Sequence, residues 1–112
     1  MISVEITKNR NNYEKIICNG HAEYAEYGED IVCSAVSMLV INTINSIDKL
    51  AECGIKVKEN ADKGYLEMTF KGNNSDDSMK KASLFFESLI LGLNGVIDNY
   101  GEEFVTLKIK EV

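Results

Sequence analysis

The chain has 112 residues, a formal net charge of −6 and no proline. A chain of this length makes one domain, residues 1–112, and buries roughly 65% of its unfolded surface without a metal or disulfide staple. The acidic balance argues against direct nucleic-acid binding, which relies on clustered lysine and arginine, and it suits either a basic protein or peptide partner or plain solubility.

Ile2, Val4 and Ile6 alternate with polar residues, the period of a half-buried strand. The turn NRNN, residues 9–12, leads into YEKIICN, residues 13–19, which reads as the second strand of a hairpin. The leading segment, MISVEITKNRNNYEK, lacks the apolar core of a signal peptide, and no apolar run reaches the eighteen or so residues of a membrane helix. Gly20 and His21 come next. Ala22, Glu23, Tyr24, Ala25, Glu26, Tyr27, Gly28 and Glu29 lack apolar periodicity and read as a loop.

From Asp30 the period becomes helical: Ile31, Val32, Ala35, Val36, Leu39, Val40, Ile44, Ile47 and Leu50 form a broad apolar face that Gly54 closes. Asp30 suits the N-cap, which puts Cys33 at the third helical position. So many β-branched residues mean that burial holds this helix. IKVKEN and YLEMTFK flank the turn ADKG as a second hairpin. In NNSDDS, Ser75 or a neighbour is the N-cap of a second helix whose buried face is Ala82, Phe85, Phe86, Leu89, Ile90, Leu93 and Ile97, with Gly101 at its end. EFVTLKIK is a last strand. The order ββαββαβ predicts an α+β fold, two helices packed on a mostly antiparallel sheet.

The single histidine stands twelve residues before Cys33. A cysteine nucleophile needs thiolate character, which a helix N-terminus favours, and a group to shuttle a proton, which imidazole supplies near neutral pH. In that geometry the backbone amides of Cys33 and Ser34 form an oxyanion hole. Ser37, one turn on, orients substrate or bonds the histidine; Asp30 either caps the helix or orients His21. Against this, Glu23, Glu26, Glu29 and Asp30 raise a nearby thiol's pKa, unless they serve a basic substrate. Cys33 equally fits an ordinary buried helix cysteine, and His21 a structural residue. Cys18, Cys33 and Cys53 are spaced 15 and 20 apart, which fits neither a zinc site nor a secreted disulfide framework. Cys18 and Cys53 read as packing residues. A cytoplasmic protein with reduced thiols, no metal and no cofactor is the simplest account.

The segment GHAEYAEYGEDIVCSAVS, residues 20–37, closely resembles the signature of the ribosomal-processing cysteine protease (Prp, or YsxB-like) family. Gly20, His21, Ala22, Tyr24, Gly28, Asp30, Val32, Cys33, Ala35 and Ser37 fill its places. The resemblance implies a cysteine endopeptidase that removes the N-terminal extension of a large-subunit ribosomal protein precursor in low-GC Gram-positive bacteria and relatives. It implies Cys33 as nucleophile, His21 as general base, a homodimer, and a mobile substrate loop over residues 22–29. Two competitors share these residues: a non-catalytic ribosome-associated binding module and a thiol redox sensor.

Overall fold

A computed structural model describes residues 1–20 and 27–112, with backbone alone for residues 27–30. The elements are β1 (Ile2–Asn9), β2 (Asn12–Asn19), α1 (Tyr27–Lys49), β3 (Ile55–Asn60), β4 (Tyr65–Phe70), α2 (Asp76–Tyr100) and β5 (Val105–Glu111), in the expected ββαββαβ order. The sheet order is β3-β4-β2-β1-β5. Every neighbouring pair is antiparallel except β1 with β5, which runs parallel from Ile2↔Val105 to Lys8↔Glu111.

Alternation along the strands divides the sheet into an inner and an outer face. Ile2, Val4, Ile6, Ile16, Cys18, Leu66, Met68 and Val105 point inward and are buried. Against them pack Val32, Val36, Val40 and Ile47 of α1 and Ala82, Phe86, Leu89 and Leu93 of α2, all in one core with the strands. Residues Ile31–Lys49 are long and apolar enough to cross a membrane by composition, contrary to the expectation that no stretch is. Here that helix is instead a core element, since one stripe of it lies against the sheet.

Local chemistry fixes the ends of the elements. Ser75 caps α2, its hydroxyl accepting from the Ser78 amide at 3.1 Å, with Asp76 and Asp77 in the first turn. The β3–β4 turn is a single 3-10 turn over Ala61–Lys63, capped by Asn60 and closed by Gly64 at φ 62°. Tyr13 of β2 lies flat on Phe86, ring centroids 4.8 Å apart, anchoring α2 to the far end of the sheet.

The start of α1 differs from the expectation. It begins at Tyr27, so Tyr27, Gly28 and Glu29 belong to the helix and not to a loop, and Asp30 is its fourth residue and not its N-cap. An acidic residue in the first turn is favoured by the same helix dipole that favours one at the cap, so in sequence the two positions look alike.

Candidate active site

Cys33 lies on the second turn of α1, on the buried stripe with Val32 and Val36, and is 5% exposed. Its surroundings come from β2. Cys18, near the end of that strand, points inward, paired with Val4 on one side and Leu66 on the other. Burial pushes the Cys18 thiol up to about 11, and the nearby Cys33 adds to the rise. The end of β2 therefore faces the turn of α1 that carries Cys33. His21 follows Cys18 by three residues. His21 itself and residues 22–26 lie outside the described residues.

The backbone holds the β2 exit rigidly. Gly20 has φ +92° and packs so closely on the first residue that an added β-carbon would stand 2.5 Å from the Met1 carbonyl oxygen. Its amide donates to the Gly64 carbonyl at 2.9 Å. Only glycine fits a left-handed position pressed on another backbone, which accounts for the glycine immediately before the histidine.

Of the supporting residues, Ser34 is exposed and Ser37 half-buried, one helical turn beyond Cys33 on the same side. The side chain of Asp30 lies outside the described residues. The oxyanion expectation needs correction. With α1 beginning at Tyr27, the amides of Cys33 and Ser34 sit within the helical ladder, each directed at the carbonyl four residues back. In this conformation neither is an unpaired first-turn donor.

The other two cysteines are packing residues, and none of the three forms a disulfide. Cys53 is buried after α1, its thiol donating to the Ser78 carbonyl at 3.4 Å, and burial raises its pKa. A cavity of about 330 Å³ between Tyr13, Phe70, Met79 and Phe86 lies at the opposite end of β2 from Cys18, away from the thiol. Sequence reasoning missed the contribution of Cys18: its place on the inner face was legible, but its closeness to Cys33 depends on how α1 crosses the sheet.

Comparison with known proteins agrees with this arrangement. A family model described as Cysteine protease Prp matches residues 1–105. The ribosomal processing cysteine protease Prp of Staphylococcus aureus is 28% identical over 103 residues, which cover 91% of this chain and 93% of that protein. Its namesake in Bacillus subtilis is 31% identical over 81 residues, 72% of each chain. Among solved structures, SMU.848 from Streptococcus mutans superposes with a TM-score of 0.85 at 33% identity, covering 100% of this chain and 96% of that one. The S. aureus Prp in complex with a substrate peptide gives a TM-score of 0.84 at 26% identity, covering 98% of this chain and 100% of that one. The same enzyme with a covalently linked product peptide gives 0.78 at 27% identity, with the same coverage. With a buried thiol facing the strand end that leads into the sole histidine, and with the family's pattern matched over residues 1–105, this chain belongs to the cysteine protease Prp family.

Proposed function

We propose that this cysteine protease removes the N-terminal extension of a large-subunit ribosomal protein precursor in the cytoplasm, with Cys33 as nucleophile and His21 as general base. The observation that supports the assignment of roles is that Cys33 shares one buried core with Cys18, which stands three residues before His21 and is influenced by the Cys33 thiol. Paired with imidazolium, the Cys33 thiolate attacks the scissile carbonyl carbon and the carbonyl electrons move onto oxygen. As the tetrahedral intermediate collapses, the C–N bond breaks and His21 gives its proton to the leaving amine. Water then attacks the thioester while His21 takes its proton; the C–S bond breaks, releasing the carboxylic acid and restoring the thiolate. Ser37 and Asp30 act as positioning residues, and Glu23, Glu26 and Glu29 favour the basic chain of a ribosomal protein.

We also assign the enzyme as a homodimer. Supporting this, Met38 and Tyr100 are large apolar residues 65% and 47% exposed in the outer groove between α1 and α2. Light scattering after size exclusion tests that assignment.

The processing role is tested by mass spectrometry of a ribosomal precursor incubated with the protein, beside Cys33→Ala and His21→Ala. A single N-terminal cut, lost in both variants, is the expected result. A cut that survives Cys33→Ala would overturn the assignment of the nucleophile, and an intact precursor would point to a different substrate.

A further inference from the structure

We propose that the outer face of the sheet, turned away from both helices, is a docking surface for RNA, held through its phosphate backbone. The strand registers align outward residues in rows that cross all five strands. One row runs Lys56, Thr69, Lys15, Thr7, Lys110. The next begins at Lys58 and ends at Lys108, with Glu67, Ile17 and Glu5 between them. A third, from Asn60 to Thr106, is uncharged. These rows hold five of the twelve basic residues of the chain and two of its eighteen acidic ones. One face is therefore net positive on a molecule whose total is −6.

The two acids on this face are already engaged or flanked. Glu67 accepts from the Tyr65 hydroxyl at 2.7 Å and pairs with Lys58 at 3.9 Å, while Glu5 is opposite Lys108 in the β1–β5 register. Glu14, the extra residue of the bulge where the β1–β2 register shifts, stands at the margin beside Lys15. Among the described residues, Lys56, Lys15 and Lys110 make no ion pair. They recur on every second strand, so they stand roughly 10 Å apart along a stripe roughly 20 Å long. The hydroxyls of Thr69 and Thr7 fill the positions between them. Cations alternating with neutral donors along one row suit a phosphodiester chain, in which lysine displaces counterions and hydroxyls donate to phosphate or sugar oxygens.

The total charge argued against such a partner because it averages over two opposite faces. At physiological salt the screening length is about 8 Å, so acidic side chains on the helices, about one 10 Å layer away, do little to cancel the field over the stripe. Lysines on edge strands also discourage edge-to-edge pairing, which covers Lys56, Lys58, Lys108 and Lys110. Lys15 is on the interior strand β2, has no edge to protect, and makes the stripe continuous. A lipid surface fits less well, because the outward apolar residues Ile17 and Tyr65 are half-buried and cannot insert. A second copy meeting this face with its acidic side would make an open-ended head-to-tail contact. That the RNA is ribosomal rests on the processing role above; binding to the face does not.

The test is fluorescence anisotropy with a fluorescein-labelled oligouridine RNA from 50 to 200 mM salt. The proteins are the unmodified chain, the triple variant Lys15→Thr/Lys56→Thr/Lys110→Thr, and Lys80→Gln/Lys81→Gln on α2 for comparison. We expect saturable binding that weakens with salt. The triple variant should lose at least about tenfold in affinity at low salt, with the slope of log K against log salt smaller in magnitude by about 2, or roughly 0.7 per lost phosphate contact. The α2 variant should match the unmodified protein. Circular dichroism and cleavage of a short precursor peptide verify folding; should the triple variant unfold, Lys15→Thr and Lys110→Thr singly should each cost roughly threefold. Absence of saturable binding at 50 mM salt, or an equal loss in the α2 variant, overturns the proposal. Displacement of RNA by poly-glutamate at equal charge overturns RNA in favour of an acidic polypeptide. Failure of cleavage by the unmodified protein with RNA binding intact would instead count against the processing role alone.

Discussion

Gly20 and Met1 meet backbone to backbone: a β-carbon on Gly20 would lie 2.5 Å from the Met1 carbonyl oxygen, at φ +92°. The contact is made where β2 ends and His21 begins, so it couples stability to the placement of the proposed base.

Gly20→Ala is therefore expected to destabilise the protein by about 1–3 kcal/mol from backbone strain alone, with a further loss from the clash. Peptide cleavage should fall more than the unfolded fraction explains, since the chain must shift at the residue before His21. Urea melts and initial rates measured together check this; an unchanged midpoint would contradict the left-handed strain at Gly20, and a loss confined to the strain range would show that the N-terminus moves aside from the clash.

Thiol reactivity separates the three cysteines. At pH 7.5, iodoacetamide should modify Cys33 first, with its rate reduced in His21→Ala, while Cys18 and Cys53 react only when urea opens the core. Burial raises both of those thiols; Cys33 is buried as well, and it is the proposed pairing with His21 that sets its thiolate apart. Peptide mapping after timed alkylation reads the order directly, and equal rates at all three positions would contradict it.

Cys18 also makes stability fall in alkali. Its pKa is raised from 9.0 to about 11 in the folded state. Below pH 9 the thiol is protonated in both states and contributes nothing to the pH dependence. Between 9 and 11 the unfolded chain releases a proton that the folded one keeps, so stability is lost as pH rises, on the order of 2–3 kcal/mol in all. Cys18→Ala should flatten this part of the curve in denaturant melts from pH 8 to 10.5. Tyr13, pushed up to about 12 by burial and by its hydrogen bond with Glu87, adds a fall beginning near pH 10 that Tyr13→Phe should remove.

Asp30→Asn distinguishes a positioning role from a purely helical one. As the fourth residue of α1, Asp30 is worth about 0.3–1 kcal/mol to the helix through the dipole, a small change in melting. If it positions His21, kcat should fall about tenfold or more with KM little changed, and the acid limb of the pH–rate profile should move. A stability change without a kinetic one would leave Asp30 as helix chemistry only.

The sequence showed most of this fold because each element has a strong period: the inward triplet Ile2, Val4 and Ile6, the α1 stripe from Val32 to Ile47, and the Ser75 cap were all legible one residue at a time. The start of α1 was not. Tyr27, Gly28 and Glu29 carry no apolar signal, and Gly28 imitates a loop, so the helix is recognised only where its buried stripe begins. The candidate thiol was visible in the sequence, but its neighbour Cys18 required the crossing of α1 over β2. The lysine stripe likewise needs register, which local pattern does not contain: its members come from three strands separated by both helices and by β4.

The parallel pairing of β1 with β5 has a consequence for how the enzyme comes into being. β1 sits between β2 and β5, so the first strand made waits for the last before both its edges are paired. At roughly 5–20 residues per second, the 86 residues from Asn19 to Val105 take on the order of five to fifteen seconds to synthesise. Throughout that interval the nascent chain presents the backbone of Ile2–Asn9 as an open template. Chains shortened before Val105 keep that template permanently, and they should be recovered as aggregates or degradation products rather than as weakened enzyme.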